Sequence, residues 1–170
     1  GTSLTAGLGL DPAQAFPARI GELAQAAGTP IRVVNAGLSG ETSAGALRRA
    51  DWVLGRTPAA VVVLETGAND GLRAVDPATI RDNLDSLVAK VRLRQPEARV
   101  VLVQMEAPPN LGATYARAFR DVYPAVAEKY GIPLVPFLLD GVAGKPEMNQ
   151  GDGILPTVQG ARVVAKTEWT

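Results

Sequence analysis

The chain has 170 residues, and its 17 basic and 17 acidic side chains give a formal net charge of zero. It has no basic run and no apolar run near the ~20 residues that span a bilayer, so we expect neither a nucleic-acid partner nor stable membrane insertion. With 46% hydrophobic and 20% charged residues, it can bury a core and suits a single domain over residues 1–170.

The chain contains neither Cys nor His. The lack of Cys excludes disulfides, thiol nucleophiles and thiolate metal sites. The lack of His removes the commonest general base and metal ligand, so any mechanism must work without it or explain its loss. No other cluster of ligands is present, and we expect no metal and no cofactor.

Four runs rich in Val, Ile and Leu are continuous rather than alternating, which is typical of parallel strands buried on both faces. Segments with helical periodicity separate them, and this alternation predicts an α/β fold. The predicted strands are 31–36, 60–66, 99–106 and 132–139. The predicted helices are about 12–27, 43–55, 77–94, 113–130 and a last one from near Pro156 to the end.

Local signals set some of these boundaries. Asp76 followed by Pro77 predicts an N-cap and a first helical turn. Gly28 and Gly131 are well placed to end helices. The helix after Asp76 carries one apolar stripe, made of Ile80, Leu84, Leu87, Val88 and Val91.

The chain opens on residues 1–7, which have the character of a strand-to-helix loop with no strand before it. In a flavodoxin-like sheet of order 2-1-3-4-5, the first strand lies inside the sheet. We therefore expect a flavodoxin-like three-layer α/β/α sandwich with a parallel sheet. Its first strand is expected to be missing from this chain, and its C-terminal helix to be truncated.

Small polar residues follow the predicted strands, where open α/β sheets form their sites. Ser3 offers a hydroxyl, Gly40 a bare backbone N–H and Asn69 a side-chain amide, which together suit acyl transfer. Taken singly, Ser3 is more often a helix cap, and Gly40 and Asn69 are more often turn residues. Only their joint order favours a site.

A second interpretation is anion or nucleotide binding. Residues 37–43 follow a predicted strand and open a helix, so their backbone could cradle a phosphate. The segment lacks both the Gly-Lys-Ser/Thr and the GxGxxG pattern, which makes this the lesser alternative.

Four short blocks follow one another along nearly the whole chain: GTSLTAG at 1–7, NAGLSGETS at 35–43, GANDG at 67–71 and DGILP at 152–156. In this order and spacing they resemble the blocks of SGNH/GDSL hydrolases. The likeness is greatest to the branch of bacterial arylesterases and multifunctional thioesterases/lysophospholipases.

The resemblance implies a serine ester hydrolase acting on a small-molecule acyl ester. It implies that Ser3 is the nucleophile and that the Ser3 backbone, Gly40 and Asn69 form the oxyanion hole. It also implies that Asp152 belongs to the loop that carries the family's catalytic His.

The resemblance also implies where substrate binds and where the protein acts. The acyl group is expected near Ala107, Pro108 and Leu111, whose small or apolar side chains favour short to medium acyl or aryl esters. Thioesters and lysophospholipids are substrates within the same branch. A periplasmic or secreted location is expected.

Two departures from the family pattern bear on activity. Thr2 replaces the Asp of the GDSL block, which is thought to brace the nucleophile loop. Leu155 occupies the position of the catalytic His, so Ser3 has lost its proton acceptor. We therefore predict an ester hydrolase with little turnover; the alternative is a non-catalytic protein that binds acyl groups or carbohydrate.

Overall fold

The structure, a computed structural model, describes residues 1–169. These residues group into two compact units. We call residues 1–39 with 138–169 the terminal unit, and residues 40–137 the central unit. The prediction of a single domain over residues 1–170 stays a prediction.

The terminal unit is helical among the described residues. Its helices at Phe16–Ala26 and Val158–Trp169 pack against each other, and fully buried Ala24, Val142 and Val164 contribute to its core. Its helices are α1 (Ser3–Ala6), a 3₁₀ helix (Pro12–Gln14), α2 (Phe16–Ala26) and α7 (Val158–Trp169).

Two predicted helices of this unit differ in detail from the observed ones. The predicted helix 12–27 is divided at Ala15, whose backbone is extended. Ala15 is the N-cap of α2, and Pro17 lies in the first turn of that helix. The last helix begins at Val158 rather than near Pro156. Thr157 caps it, since its hydroxyl accepts a hydrogen bond from Gly160 N at 3.2 Å.

The predicted strand 31–36 is wrong. Residues 31–36 belong to no strand, and Ile31 and Val34 are more than half exposed. An apolar run becomes a strand only when a neighbour supplies ladder hydrogen bonds, and no segment within residues 1–169 does so here.

The central unit contains a parallel three-stranded sheet of order β1-β2-β3. Val62 pairs with Val100, and Leu102 pairs with Leu134. The strands are β1 (Val61–Leu64), β2 (Arg99–Val103) and β3 (Leu134–Val135), and the helices are α3 (Ser43–Leu54), α4 (Ala68–Leu72), α5 (Pro77–Arg94), a 3₁₀ helix (Pro109–Leu111) and α6 (Ala113–Tyr130).

The central unit confirms the predicted helices, whereas its strands are shorter than predicted. The predicted strands 60–66, 99–106 and 132–139 are observed over 61–64, 99–103 and only 134–135. Helices α5 and α6 have the predicted bounds, and Asp76 caps α5 by accepting from Ala78 N at 2.9 Å. The whole apolar stripe of α5 is buried. Burial on both faces was wrong for β1, because Val61 and Val63 are about half exposed at the edge of the sheet.

These elements confirm the predicted α/β fold with a parallel sheet. Among residues 1–169, no helix combines the length and the apolar character needed to cross a membrane.

Candidate active site

Ser3 is the first residue of α1, a single helical turn. Thr2 is fully buried and caps this turn, because its hydroxyl accepts from Leu4 N at 3.3 Å. Gly7 ends the turn in the left-handed region, and its N–H donates to Ser3 O at 3.0 Å. Thr2 therefore holds the start of the turn through its hydroxyl, at the position where the SGNH pattern has a carboxylate.

The segment after residue 34 is hydrogen-bonded to this turn. Asn35 Nδ2 donates to Thr5 O at 2.7 Å, and Leu38 N donates to Gly1 O at 2.9 Å. Gly37 passes so close that a Cβ there would lie 2.3 Å from Ala6 N. The sequence placed Gly37 in a motif but could not show that Gly is required there. That requirement follows from the packing, which brings the backbone of Gly37 close to Ala6.

Ser3 and Leu155 line the same recess, which opens to solvent. All the residues that line it belong to the terminal unit, and apart from Ser3 they are apolar or Gly: Leu4, Gly7, Leu8, Leu10, Ala15, Phe16, Leu155, Pro156 and Ala161. The structure therefore places the predicted nucleophile and the predicted base position on one cavity. The side chain at the base position cannot accept a proton.

Asp152 bonds to its own loop. Its Oδ1 accepts from Ile154 N and from Leu155 N, each at 3.0 Å. This is a side-chain turn of the kind that Asp often forms, and Gly153 supplies the left-handed residue within it. The exposed carboxylate thus fixes the backbone of residue 155, whatever its side chain is.

Gln150 anchors the same loop. Its Nε2 donates to Leu8 O and to Pro156 O, both at 2.9 Å, and its backbone N donates to Leu155 O at 2.7 Å. Because Leu8 directly follows the Ser3 turn, Gln150 links the Asp152 loop to that turn. Sequence reasoning missed Gln150, and the only signal for it was its position beside the Asp152 block.

Two of the three predicted oxyanion donors, Gly40 and Asn69, lie in the central unit, on segments that are hydrogen-bonded to each other. Asn69 Nδ2 donates to Glu41 O at 2.9 Å, and Arg73 Nη1 donates to Gly40 O at 3.2 Å. A side-chain amide has two N–H groups, so one on Asn69 remains for a ligand. A Cβ on Gly40 would meet no described atom within 4 Å, which leaves space beside its backbone.

Tyr123 holds the turn before Asn69. Its hydroxyl donates to Thr66 O at 2.9 Å, and a Cβ on Gly67 would lie 2.1 Å from that hydroxyl oxygen. Burial raises the pKa of Tyr123 well above its usual value, and the negative charges of Asp70 and Glu65 raise it further. The phenol therefore stays protonated and able to donate.

The predicted substrate residues Ala107, Pro108 and Leu111 are partly buried in the loop before α6. Pro108 lies near the block that carries Asn69, because a Cβ on Gly71 would be 3.5 Å from Pro108 Cδ. Within residues 1–169, no group of three or more acidic side chains is arranged to hold a metal ion.

Comparison with known proteins places this fold in a family. Residues 1–163 match the GDSL-like lipase/acylhydrolase family, and the chain therefore belongs to that family of carboxylic-ester hydrolases. This confirms the resemblance read from the four blocks.

Individual relatives agree. Esterase TesA of Pseudomonas aeruginosa is 42% identical over 99% of this chain and 83% of its own length. A crystal structure of TesA matches with a TM-score of 0.93 over 99% of this chain and 93% of that chain, at 42% identity. An arylesterase of Vibrio mimicus is 35% identical over 92% of this chain and 77% of its length. The thioesterase 1/protease 1/lysophospholipase L1 of Escherichia coli is also 35% identical, over 92% and 73%.

Proposed function

We propose that this chain is an SGNH-type serine ester hydrolase that has lost its general base and turns over slowly as a result. Its substrates are short to medium acyl or aryl esters, with thioesters and lysophospholipids in the same range. The observation that carries the proposal is the recess shared by Ser3 and Leu155, where a hydroxyl is retained and the proton acceptor is replaced by an alkyl group.

Acyl transfer requires Ser3 Oγ to bond to the carbonyl carbon of the ester while its proton passes to a base. The tetrahedral oxyanion then collapses, the C–O bond to the alcohol breaks, and the leaving oxygen takes up a proton. Leu155 can neither accept the first proton nor supply the second. Asp152 already accepts from two backbone N–H groups of its own loop, which supports a structural role for it.

Stabilisation of the oxyanion is the part of the mechanism that the chain retains. Preorganised N–H donors are the largest single contribution in many such enzymes. We assign this role to the N–H groups of Ser3 and Gly40 and to the free N–H of Asn69. Donors and binding alone leave roughly 10³–10⁴-fold acceleration over water, which predicts slow but measurable turnover.

We place the acyl group beside Ala107, Pro108 and Leu111. Support comes from their small or apolar side chains and from the nearness of Pro108 to the block that carries Asn69. We also propose a periplasmic or secreted location, on the strength of the family resemblance. Fractionation of cells that express the native gene would test it.

The test is hydrolysis of p-nitrophenyl butyrate by this chain and by Leu155→His. Since removing the triad base costs several powers of ten, Leu155→His should raise kcat by about 10³-fold or more. Leu155→His combined with Ser3→Ala is the matched control and should lose that gain. Equal rates for the chain and Leu155→His would show that the account of the base is wrong.

A second candidate is a non-catalytic protein that binds acyl groups or carbohydrate, and the apolar recess with Leu155 in place of a base favours it. It predicts saturable binding of a fatty acid or an oligosaccharide, with no product, by isothermal titration calorimetry. Absence of binding up to millimolar concentration would contradict it.

A further inference from the structure

Asp70 is a buried carboxylate next to a predicted oxyanion donor. Its side chain is 1% exposed, and none of the ion pairs formed within residues 1–169 involves it. Burying a charge is costly unless hydrogen bonds compensate it. The partners of Asp70 must therefore provide that compensation.

Both hydrogen-bond donors to Asp70 belong to Ser43. Asp70 Oδ2 accepts from Ser43 N at 2.8 Å, and Asp70 Oδ1 accepts from Ser43 Oγ at 2.6 Å. Asn83 Nδ2 donates to the same Ser43 Oγ at 2.9 Å, so the serine hydroxyl both gives and receives a hydrogen bond. Hydrogen bonds to an ionised acceptor are roughly twice as strong as neutral ones.

This arrangement connects two loops at defined points. Asp70 follows Asn69 directly in α4, a helix of only five residues. Ser43 is the first residue of α3 and lies three residues after Gly40. A bidentate contact between Asp70 and Ser43 therefore fixes how the segment that carries Asn69 stands relative to the segment that carries Gly40.

The other contacts between these segments are weaker restraints. Asn69 Nδ2 donates to Glu41 O, and Arg73 Nη1 donates to Gly40 O at 3.2 Å from an exposed side chain. The hydrogen bond to Glu41 O engages the Asn69 amide, the group that we propose stabilises the oxyanion. The contact of Asp70 with Ser43 is buried on both sides, where water does not compete.

We infer that Asp70 is a positioning residue that sets the relative placement of the Gly40 and Asn69 donors through Ser43. The inference rests on the proposed function for the role of those donors, whereas the placement itself can be measured without turnover. Asp70 need not touch substrate. An Asn in its place removes the negative charge, so its hydrogen bonds to Ser43 are no longer charge-assisted, and its N–H₂ can bond to the Ser43 hydroxyl only if that hydroxyl accepts instead of donating.

The first measurement is the side-chain amide resonance of Asn69 in ¹⁵N-labelled protein. Asp70→Asn should shift both amide protons of Asn69 and the backbone N–H of Gly40 while the protein remains folded. Asp76→Asn is the matched control, since it makes the same chemical change at an exposed helix cap that Asn also suits. It should leave the Asn69 and Gly40 resonances unmoved.

The second measurement is activity in the Leu155→His background. Asp70→Asn should lower kcat by about 10- to 100-fold with KM within about twofold, because misplaced donors weaken binding of the transition state rather than of the substrate. Ser43→Ala removes one of the two bonds and should act in the same direction to a smaller extent. It also provides the test if Asp70→Asn does not fold.

Unchanged Asn69 and Gly40 resonances in folded Asp70→Asn or Ser43→Ala would overturn the inference. So would an unchanged kcat in an active Leu155→His background. Failure of Leu155→His itself to hydrolyse any ester would count against the proposed function instead, and the resonances alone would then decide the role of Asp70.

Discussion

The two compact units differ in how complete their functional parts are. In the central unit, Gly40 and Asn69 lie on segments joined by hydrogen bonds, and the buried side chains of Asp70 and Tyr123 hydrogen-bond to the neighbouring backbone and side chains. In the terminal unit, Ser3 shares its recess with Leu155, a side chain that cannot take a proton. The proposed donors are supported from several sides, whereas the proposed nucleophile would lack a group to activate it.

This difference separates two requirements of acyl transfer. Donors that stabilise an oxyanion are fixed by many backbone contacts, so single substitutions seldom remove them all. In the proposed mechanism, proton transfer would depend on the single side chain at position 155, and hydrogen bonds of Asp152 and Gln150 hold the loop that carries it. One substitution can therefore remove the chemistry and leave the loop in place.

The largest expected effect concerns the donor side. Asn69→Ala in the Leu155→His background should lower kcat by about 10²–10³-fold, since removal of one oxyanion donor typically costs that much. The measurement is p-nitrophenyl butyrate hydrolysis under saturating substrate. Asn83→Ala, which removes the amide that donates to Ser43 Oγ, is expected to cost less because both hydrogen bonds between Ser43 and Asp70 remain. An active Asn69→Ala variant with unchanged kcat would remove Asn69 from the oxyanion hole.

Replacing one glycine in each unit with Ala compares how tightly other atoms pack around the backbone at Gly37 and at Gly40. Gly37→Ala would push a Cβ to 2.3 Å from Ala6 N, and a backbone atom cannot swing away, so we expect a loss of about 3 kcal/mol. A Cβ at Gly40 would meet no described atom within 4 Å. Gly40→Ala should therefore lower the free energy of unfolding by only about 1 kcal/mol, the cost of placing Ala in a left-handed backbone conformation. Urea unfolding of both variants measures the difference. A smaller loss for Gly37→Ala than for Gly40→Ala would contradict the close contact.

The smallest expected effect is on the surface of the central unit. Hydrogen bonds from Lys90 and Arg94 lower the pKa of Asp51 below its model-compound value of 3.8. A lowered folded pKa contributes stability above pH ~4 that is lost as pH falls through the folded value. Asp51→Asn should therefore lower Tm by no more than about 3 °C at pH 7.

That difference in Tm should shrink toward zero as the pH is taken well below 4. Asp82→Asn is the control, because Asp82 is an exposed acid of α5 that takes part in none of the ion pairs within residues 1–169. Asp82→Asn should leave Tm at pH 7 nearly unchanged. A Tm difference for Asp51→Asn that is constant from pH 7 to pH 3 would count against the ion pairs with Lys90 and Arg94.

The sequence predicted best what local interactions determine. The bounds of α5 and α6 follow from Asp76, Pro77, Gly131 and an apolar stripe, all read within one element. Residues 31–36 were mistaken for a strand because pairing depends on a neighbour that the run itself does not encode. The exposure of Val61 has a similar cause, since burial depends on what packs on a face rather than on the strand.

The candidate site shows the same division. Ser3, Gly40, Asn69 and the substitution at Leu155 could be named from block order alone, and their roles stay predictions. Contacts between distant segments could not be foreseen, since no spacing in the sequence reveals them. They include Gly37 against Ala6, Gln150 on Leu8, Tyr123 on Thr66 and Asp70 on Ser43.

The most direct test of the central claim is covalent labelling of Ser3 with a p-nitrophenyl alkylphosphonate at pH 7, followed by intact-mass and peptide mass spectrometry. In this reaction Ser3 Oγ bonds to phosphorus, p-nitrophenolate leaves, and the hydroxyl proton must pass to a base. We predict that Leu155→His is labelled stoichiometrically at Ser3, while the unaltered chain stays largely unlabelled over the same time. Labelling of the unaltered chain at Ser3 at the rate of Leu155→His, or labelling of Leu155→His at a residue other than Ser3, would contradict the account.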